Sequence, residues 1–394
     1  MKFLKITIKL ATILFVLVSV LYPVAIYSDI PFVRKWRTIY IETAMTTYTH
    51  KWLATAFIPE AVIDDVMNQT KIDNEMQNDL IDTLYQGSVS YAVENDLLSN
   101  DSLTPEKEKE LFYEKYWEID TESFHKYVKD NPELIEDGYS NIFIDNSKYE
   151  HDIKSVNNER IYLLDAKNNL IIFEITGNGY AGKLATIKNP SQVVLEKSKT
   201  LGNYGTLLRD FYNDDEDTLL AINCSGFGDQ DAGGNGGTVV GSLIIDGKEY
   251  GKPTSRYFIF GQKFDDKFYI EKYDEDLTKE YRWAAQFNPA LVVNGQKAVN
   301  GSFGYGIQPR SAVGQAQNGD MLLLIIDGRQ VGYSIGATVS DLADILLLHD
   351  AYQANNLDGG SSALMWYDGK NITKPSSTNY LGRYLPDAIV VKKP

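Results

Sequence analysis

The chain has 394 residues, 43% hydrophobic and 23% charged, which is enough for two or three globular domains. Its formal net charge of −16 repels a phosphate backbone, so nucleic-acid binding is not expected and local Arg or Lys side chains must meet any anionic substrate. The single cysteine, Cys224, excludes an intrachain disulfide and a cysteine-based structural zinc site. We expect Cys224 to be a small half-buried residue after a strand, with a nucleophilic role as the alternative. The four histidines show no metal-ligand spacing, and neither a metal nor a cofactor is predicted.

The N-terminus carries a strong physical signal. Lys2, Lys5 and Lys9 precede an apolar run over residues 10–27, which at about 1.5 Å per residue nearly crosses a bilayer core. The lysines favour an N-terminus inside and the rest of the chain outside. The sequence therefore predicts an uncleaved transmembrane helix, a single-pass location at the cell membrane and an extracellular C-terminal domain. A cleaved signal peptide is the alternative, although residues 25–28 offer only a weak cleavage site.

The composition changes along the chain and divides it into three predicted regions. Residues 1–37 form the predicted membrane anchor with its flanks. Residues 38–141 are poor in glycine and contain helix-start signals such as Thr104-Pro105, so a helical spacer or interaction region is predicted. Residues 142–394 alternate short apolar runs with Gly, Asn and Asp, the texture of strands and turns, and form the predicted catalytic domain.

Within the third region, individual elements can be predicted. Asp246-Gly247 and Asn294-Gly295 each follow an apolar run and are typical of tight hairpin turns. Residues 321–326 form a continuous apolar strand, and residues 339–352 form an amphipathic helix for which Ser340 is the expected N-cap. The fold class is therefore α+β: a mixed-sheet domain with Gly-rich loops, preceded by a transmembrane helix and a helical region.

Four Gly-rich or polar loops follow predicted strands, and each has a polar residue where the strand ends. They contain Asn223 to Phe227 with the glycine run to Gly237, Pro309-Arg310-Ser311, Asp327-Gly328-Arg329, and Asn356 to Ser362. The long loop over residues 226–237 is either a surface tip or a wall that closes over substrate. Its Asp229 and Asp231 have a calcium-like spacing but lack the other ligands of an EF-hand, so calcium is not expected.

The fourth loop has the composition of an anion site. Asp358 leaves a buried strand and is followed by Gly359 and Gly360, which allow positive φ and close approach of a ligand to backbone N–H groups. Ser361 adds a hydroxyl donor. One carboxylate beside an anion-binding turn suits cleavage of a sugar–phosphate bond, whereas a plain strand–turn–strand is the alternative.

Arginines at two strand ends could hold the phosphate. Arg310 follows a proline that fixes the backbone, and Arg329 follows the strand over residues 321–326. A guanidinium group suits bidentate phosphate contacts. Surface ion pairing is the alternative role for each of them.

Taken in order, these motifs resemble a known family. Ile222-Asn223-x-x-Gly-Phe, the glycines before Ile245-Asp-Gly, Pro309-Arg-x-Ala-x-Gly, Asp327-Gly-Arg, Asn356-Leu-Asp-Gly-Gly-x-Ser and the closing Arg383 resemble the phosphodiester glycosidase domain. Members include the uncovering-enzyme type, which acts on GlcNAc-1-phosphodiesters, and membrane-anchored bacterial exopolysaccharide biosynthesis proteins. The resemblance covers roughly residues 153–391. Ser311, and the pair Ser361-Ser362, depart conservatively from the family pattern.

The resemblance implies a hydrolase that cleaves a sugar-1-phosphodiester in a cell-surface or exopolysaccharide glycan. Asp358 is implied as base or nucleophile and Asp327 as the second carboxylate. Arg310 and Arg383 would hold phosphate, and Asn223 a sugar hydroxyl or acetamide. A retaining and an inverting reaction both remain open. The full set of implied substrate- or phosphate-binding residues is Arg310, Arg383, Arg329, Asn223, Asn356, Gly226, Gly236, Gly237, Gly359, Gly360 and Ser361.

Two other functions fit the same residues. One is a non-catalytic carbohydrate-binding or assembly protein of the cell surface that uses the same pocket. The other is a structural stalk whose helical region over residues 38–141 is the working part.

Overall fold

The computed structural model describes residues 2–47, 50–85, 104–148, 150–228, 234–255 and 257–394. The chain divides into two compact units. The first comprises Met1–Met76 and Ser302–Ile307, and the second comprises Gln77–Gly301 and Gln308–Pro394. The predicted domain boundaries after residues 37 and 141 remain predictions.

The described helices and strands follow one another in mixed order, as predicted for an α+β chain. They are α1 (Lys2–Tyr27), α2 (Pro31–Met45), α3 (Trp52–Thr55), α4 (Glu60–Tyr85), α5 (Pro105–Lys115), α6 (Thr121–Asp130), β1 (Phe143–Asp145), β2 (Arg160–Asp165), β3 (Leu170–Thr176), β4 (Ala181–Ile187), β5 (Val193–Lys197), β6 (Thr206–Leu207), α7 (Leu208–Asn213), β7 (Thr218–Asn223), β8 (Gly241–Ile245), β9 (Lys248–Lys252), β10 (Phe258–Lys263), β11 (Phe268–Glu271), β12 (Tyr281–Phe287), β13 (Ala290–Val293), β14 (Gln296–Lys297), β15 (Arg310–Ala316), β16 (Met321–Ile326), α8 (Val339–Leu348), β17 (Ala351–Asn356), β18 (Met365–Tyr367), β19 (Lys370–Asn371), β20 (Tyr384–Leu385) and β21 (Asp387–Lys392).

The first unit is helical. Its helices α1, α2, α3 and the first part of α4 share a small apolar core, to which α2 and α4 each contribute two buried side chains three residues apart on one helical face. Glu42 of α2 is buried and its carboxylate accepts hydrogen bonds from the hydroxyls of Thr70 and Ser302. The core residues of this unit are Ile26, Ile41, Ala44, Ala54, Ile58, Ile63 and Val66.

The predicted membrane anchor is corrected by the structure. In the residues that it describes, no helix is both long and apolar enough to cross a membrane, which contradicts the predicted single-pass location. The end of α1 is instead part of a protein core: Ile26 is buried, and its carbonyl oxygen accepts a hydrogen bond from Arg37 Nη1 at 2.8 Å. Tyr22 donates to the carbonyl of Phe57 at 2.7 Å.

The second unit is built on antiparallel sheets. The largest has the strand order β1-β2-β3-β4-β16-β15-β17-β13-β14, and two five-stranded sheets have the orders β11-β10-β12-β8-β9 and β19-β18-β7-β21-β5. Strands β6 and β20 form a two-stranded ladder. Side chains from all three large sheets meet in one continuous core, which includes Ile172, Val313, Phe268, Trp283, Ile222 and Ile389.

The predicted hairpins are confirmed. Asp246 and Gly247 have φ of 49° and 71° and connect β8 to β9, while Asn294 and Gly295 have φ of 51° and 72° and connect β13 to β14. Two successive positive φ angles suit the right-handed twist of the paired strands, which explains why Asp-Gly and Asn-Gly occur there.

The predicted helix over residues 339–352 is present but shorter, and its N-cap differs. It spans Val339–Leu348, and Thr338 caps it instead of Ser340. The Thr338 hydroxyl accepts from Asp341 N–H at 3.2 Å, and the Asp341 carboxylate accepts from Thr338 N–H at 2.8 Å. This reciprocal capping box places the N-cap two residues before Ser340, while the first helical residue, Val339, is as predicted. Asp350, at φ 56°, then turns the chain into β17.

A buried ion cluster joins the segment after α5 to the largest sheet. Lys188 Nζ lies 2.6 Å from a carboxylate oxygen of Glu118 and 2.7 Å from one of Asp320. All three side chains are at least nine-tenths buried. Burial raises the pKa of Glu118, and the two carboxylates hold the pKa of Lys188 above its ordinary value despite burial. The cluster therefore fixes residues near 118 to the sheet.

Candidate active site

Asn223, the last residue of β7, links three of the predicted site loops. Its side chain is fully buried. The amide nitrogen donates to the backbone carbonyl of Asp358 at 2.5 Å, across a separation of 135 residues. The amide oxygen accepts from the Ser311 hydroxyl at 2.8 Å and from Leu364 N–H at 3.3 Å. The end of β7, the start of β15 and the loop after β17 are thus held together by one side chain.

The backbone of Asp358 is fixed on both sides of its α-carbon. Its N–H donates to the carbonyl of Cys224 at 3.0 Å, and its carbonyl accepts from Asn223. The side chain is half-buried. Glycine is required at the next position, because a Cβ on Gly359 would lie 2.7 Å from the carbonyl oxygen of Pro309. Asp358 therefore projects from a turn whose position is set by two neighbouring strands.

The Gly360 turn lies beside the guanidinium of Arg329. Gly360 has φ 63°, its N–H donates to the Pro309 carbonyl at 2.9 Å, and a Cβ there would lie 3.3 Å from Arg329 Nη2. Arg329 Nε and Nη2 donate to the neutral side-chain oxygen of Gln308 at 3.2 and 2.8 Å. Within the described part of the chain, Arg329 has these hydrogen bonds to a neutral side chain and no ion pair with a carboxylate. The residue is exposed at the surface, although the protein around its guanidinium lowers the pKa of that group. Its charge is accessible to an anion at this turn.

Two further predicted residues lie at the same ends of β15 and β17. Arg310 is 5% exposed and its Nε donates to the Ala337 carbonyl at 3.1 Å, so its guanidinium has a fixed orientation. Asn356 is buried, and its amide nitrogen donates to the Asn288 carbonyl at 2.9 Å. These residues join Asn223 and the 358–361 loop in one region of the second unit.

The Asp327 carboxylate binds protein groups other than Arg329. Its two carboxylate oxygens accept from the Tyr333 hydroxyl and from Lys374 N–H, both at 2.8 Å. Its carbonyl accepts from the Ser334 hydroxyl at 2.6 Å. Burial raises the pKa of Asp327. The carboxylate thereby anchors the turn after β16 to the segment near residue 374.

Arg383 and three of the predicted glycines lie in a second group of segments, apart from the Asp358 loop and Arg329. The guanidinium of Arg383 lies 4.8 Å from the Phe227 ring centre, and Nη2 donates to the Gly234 carbonyl at 3.0 Å. A Cβ on Gly226 would lie 2.8 Å from the Phe287 ring. Gly236 and Gly237 also lie against neighbouring backbone, at Tyr384 and Asn203 respectively.

The segment that carries Arg383 approaches the loop that begins with Asp358 at Gly382. Its Cβ position is 3.9 Å from the carbonyl oxygen of Ser361, in the loop that begins with Asp358. Arg383 is the next residue, so its Cα lies about 4 Å from the Cα of Gly382. The backbone that carries Arg383 therefore passes close to the 358–361 loop, while the Asp327 carboxylate is bonded to Tyr333.

Asp387, at the start of β21, was missed by sequence reasoning. It is fully buried, and one carboxylate oxygen accepts from Ser225 N–H at 2.8 Å, two residues beyond Asn223. Among the described residues, no further hydrogen bond reaches its other oxygen, although the neighbouring Ser225 hydroxyl lowers the pKa of the carboxyl in part. Burial raises the pKa of Asp387 to about 6. An acid opening an otherwise apolar strand was the available signal.

Cys224 lies in the chain between Asn223 and Ser225. It is fully buried rather than half-buried, and burial raises its pKa well above the ordinary value. A protonated, inaccessible thiol is a poor nucleophile, which favours the packing interpretation. Asp229 and Asp231, with their calcium-like spacing, lie outside the described residues.

A cleft of about 1050 Å³ elsewhere in the second unit is lined by residues of α6 and β1, by the turn after α6, and by Lys148 and residues 150–153. None of the predicted site residues lines it. The candidate site is therefore defined by hydrogen-bond geometry and not by that cleft.

Comparison with known families confirms the resemblance for part of the chain. Residues 216–392 match the family model of the phosphodiester glycosidase domain, which begins later than the expected residue 153. Members of this family are hydrolases that act on phosphodiester-linked sugars. All the candidate site residues fall inside the matched segment. No curated protein sequence matches the chain.

Solved structures with a related chain path include two from different organisms. The catalytic domain of zebrafish N-acetylglucosamine-1-phosphodiester α-N-acetylglucosaminidase, auto-inhibited by its pro-peptide, is 19% identical, with a TM-score of 0.47 over 57% of this chain and 83% of that one. A hypothetical protein from Synechocystis is 14% identical, with a TM-score of 0.47 over 57% of this chain and 62% of that one.

Proposed function

We propose that residues 216–392, which match the phosphodiester glycosidase family, hydrolyse the bond between the anomeric carbon and the phosphate of a sugar-1-phosphodiester in a glycan. The GlcNAc-1-phosphate type is the proposed substrate class. The observation that carries the proposal is the turn at Gly360, which brings the accessible guanidinium of Arg329 beside the loop that begins with Asp358. A cation for the phosphate and a carboxylate for the sugar carbon are what this hydrolysis requires.

Arg329 is the proposed phosphate-binding group. It is held by a neutral acceptor, Gln308, and so its positive charge is not already offset by a protein carboxylate in the described residues. On a chain with a net charge of −16, such local cations decide whether a phosphodiester can approach. Arg310, oriented by its bond to the Ala337 carbonyl, is the proposed second clamp.

Asp358 is the proposed catalytic carboxylate. In an inverting reaction it takes a proton from water while the water oxygen bonds to the anomeric carbon. The bond from that carbon to the phosphate oxygen breaks, and the phosphomonoester leaves with the electron pair. In a retaining reaction Asp358 bonds to the anomeric carbon as the bond from that carbon to the phosphate oxygen breaks and the phosphomonoester leaves with the electron pair. Water then attacks the same carbon, the bond to Asp358 breaks so that the carboxylate is restored, and the water proton passes to solvent. The leaving phosphate is weakly basic, so a second carboxylate to protonate it is less necessary than for ordinary glycosides.

Asn223 and Asp327 are proposed as positioning residues. The amide of Asn223 already bonds to Asp358, Ser311 and the Leu364 backbone, which leaves it better suited to fixing the loops than to contacting a sugar. Both carboxylate oxygens of Asp327 hold protein groups. A role for Asp327 in orienting the Arg329 turn accounts for its position better than acid catalysis.

The test is hydrolysis of a GlcNAc-1-phosphodiester by the purified full chain, followed by ³¹P NMR and a reducing-sugar assay. We expect GlcNAc and a phosphomonoester as products, and a kcat lowered about a hundredfold or more in Asp358→Asn. Asp368→Asn, at an exposed turn, is the matched control and should behave like the wild type. Binding of the diester without turnover would instead favour the carbohydrate-binding alternative, and an active Asp358→Asn would remove Asp358 from the mechanism.

A further inference from the structure

Gln308 bonds directly to one of the two arginines that are proposed to hold phosphate. The residue is 6% exposed and forms an isolated antiparallel bridge with Ala337. Its side-chain oxygen accepts from Nε and Nη2 of Arg329, at 3.2 and 2.8 Å. Because two nitrogens of one planar guanidinium share this acceptor, the buried amide fixes the orientation of the Arg329 head group.

The backbone of Gln308 is connected to the second arginine. Gln308 N–H donates to the Ala337 carbonyl at 3.2 Å, and Ala337 N–H donates to the Gln308 carbonyl at 2.9 Å. The same Ala337 carbonyl accepts from Arg310 Nε at 3.1 Å. Gln308 is therefore linked to Arg329 through its side chain and to Arg310 through its backbone.

Two glycines allow the backbone around Gln308 to pack this closely. A Cβ on Gly336, at φ 113°, would lie 2.4 Å from the Gln308 carbonyl oxygen, and a Cβ on Gly328 would lie 2.8 Å from the backbone nitrogen of Pro309. A larger residue at either position would separate these segments. Pro309 also favours an extended backbone at Gln308, which suits the bridge to Ala337. The Gln308 amide therefore extends from a backbone whose position is fixed.

The chemical feature of Gln308 that matters for anion binding is that its acceptor is uncharged. A carboxylate at the same position would form an ion pair with Arg329 and offset its charge. An amide oxygen orients the guanidinium through hydrogen bonds and leaves the positive charge to attract an anion. On a chain with a net charge of −16, the charge of a local arginine decides how strongly a phosphate group is attracted.

We propose that Gln308 is a positioning residue that sets the anion affinity of the candidate site. Its amide orients Arg329 without neutralising it, and its bridge to Ala337 holds Arg329 and Arg310 in a fixed relation for one phosphate group. The inference rests on the proposed function, because it concerns the phosphate of the same substrate. It assigns Gln308 to substrate binding, through Arg329, and not to bond cleavage.

Sulfate binding to the full chain tests this role without requiring turnover, because sulfate is a dianion at neutral pH and resembles phosphate in shape. Titration calorimetry at low salt measures the affinity, since salt screens the contact. Arg329→Met should weaken binding about tenfold, which locates the anion at this arginine. Gln308→Glu should also weaken it about tenfold, because the introduced carboxylate offsets the Arg329 charge. Gln308→Met removes the acceptor but adds no charge, and should weaken it about threefold.

The order of the two Gln308 variants separates this role from a structural one. Glutamate has nearly the shape of glutamine and still accepts from Arg329, so a merely structural role predicts that Gln308→Met is the more damaging change. With the GlcNAc-1-phosphodiester as substrate, both variants should raise KM by the same factors as they weaken sulfate binding, and should leave kcat nearly unchanged. Gln296→Glu, in the exposed edge strand β14, adds the same charge elsewhere and should change neither sulfate affinity nor KM.

Three results would overturn the role of Gln308: a wild-type chain that binds no sulfate, binding that Arg329→Met leaves unchanged, or a Gln308→Glu variant that binds sulfate as tightly as the wild type or more tightly than Gln308→Met. The failure of the proposed function has a different signature. In that case the wild type and the variants would bind sulfate in the expected order, and the wild type would hydrolyse no phosphodiester.

Discussion

Replacing Asp387 with asparagine is expected to stabilise the protein at neutral pH and to have little effect in acid. Asp387 is fully buried beneath the loop that starts at Asn223, and the Ser225 hydroxyl and N–H offset only part of the cost of burying its carboxylate. An asparagine has nearly the same shape. Its amide oxygen can accept from Ser225 N–H, and its amide nitrogen can donate to the neighbouring Ser225 hydroxyl.

The magnitude follows from proton linkage. Burial raises the pKa of Asp387 from an ordinary 3.8 to about 6 in the folded protein. The folded state therefore holds the proton more tightly than the unfolded chain. The stability that this proton contributes is fully present below about pH 3.8 and is lost as pH rises to about 6, a total of about 3 kcal/mol.

The assay is urea unfolding of the wild type and Asp387→Asn between pH 4.5 and 7.5, followed by intrinsic fluorescence. Over this pH range the variant should gain about 2 kcal/mol of stability relative to the wild type, and the difference should level off above about pH 6. Asp152→Asn, at an exposed carboxylate, serves as the control and should show no such trend. A stability difference that is independent of pH, or a variant that is less stable at pH 7, would refute the reasoning about Asp387.

Two other substitutions test the fold and the anion turn. Lys188→Met removes the cation between the buried carboxylates of Glu118 and Asp320. It should lower the free energy of unfolding by about 3–5 kcal/mol at neutral pH, measured by urea unfolding. A loss below about 1 kcal/mol would contradict the role of this cluster. Gly360→Ala should cost about 1–2 kcal/mol for the left-handed backbone and also raise KM for a phosphodiester, because its Cβ crowds the neighbouring guanidinium. Gly369→Ala, at φ 72° with no neighbour within 4 Å, carries the same strain without the crowding, so equal KM values for the two variants would contradict the anion turn.

Local features of the fold were predictable because short-range sterics decide them. The Asp246-Gly247 and Asn294-Gly295 turns follow from the positive φ angles that a two-residue hairpin requires. The N-cap of α8 was misplaced by two residues because Thr338 and Ser340 both suit an N-cap. The capping-box pairing of Thr338 with Asp341 decides between them.

Long-range features were harder to obtain from the sequence. The apolar run over residues 10–27 predicted a membrane anchor, but hydropathy alone could not show that Ile26 packs into a helical core. The motif order grouped the site loops through their resemblance to a family, whereas the hydrogen bond from Asn223 to the Asp358 carbonyl spans 135 residues and required coordinates. Asp387 was missed because its importance depends on burial, which no local pattern reports.

Hydrolysis in ¹⁸O-labelled water tests most directly whether this chain attacks the sugar carbon of a phosphodiester. If Asp358 acts at the anomeric carbon, the label enters the C1 hydroxyl of the released GlcNAc and the phosphomonoester stays unlabelled. Mass spectrometry of both products measures this in one reaction. Label in the phosphate would mean that the phosphorus–oxygen bond is cleaved, and the protein would then be a phosphodiesterase and not a glycosidase.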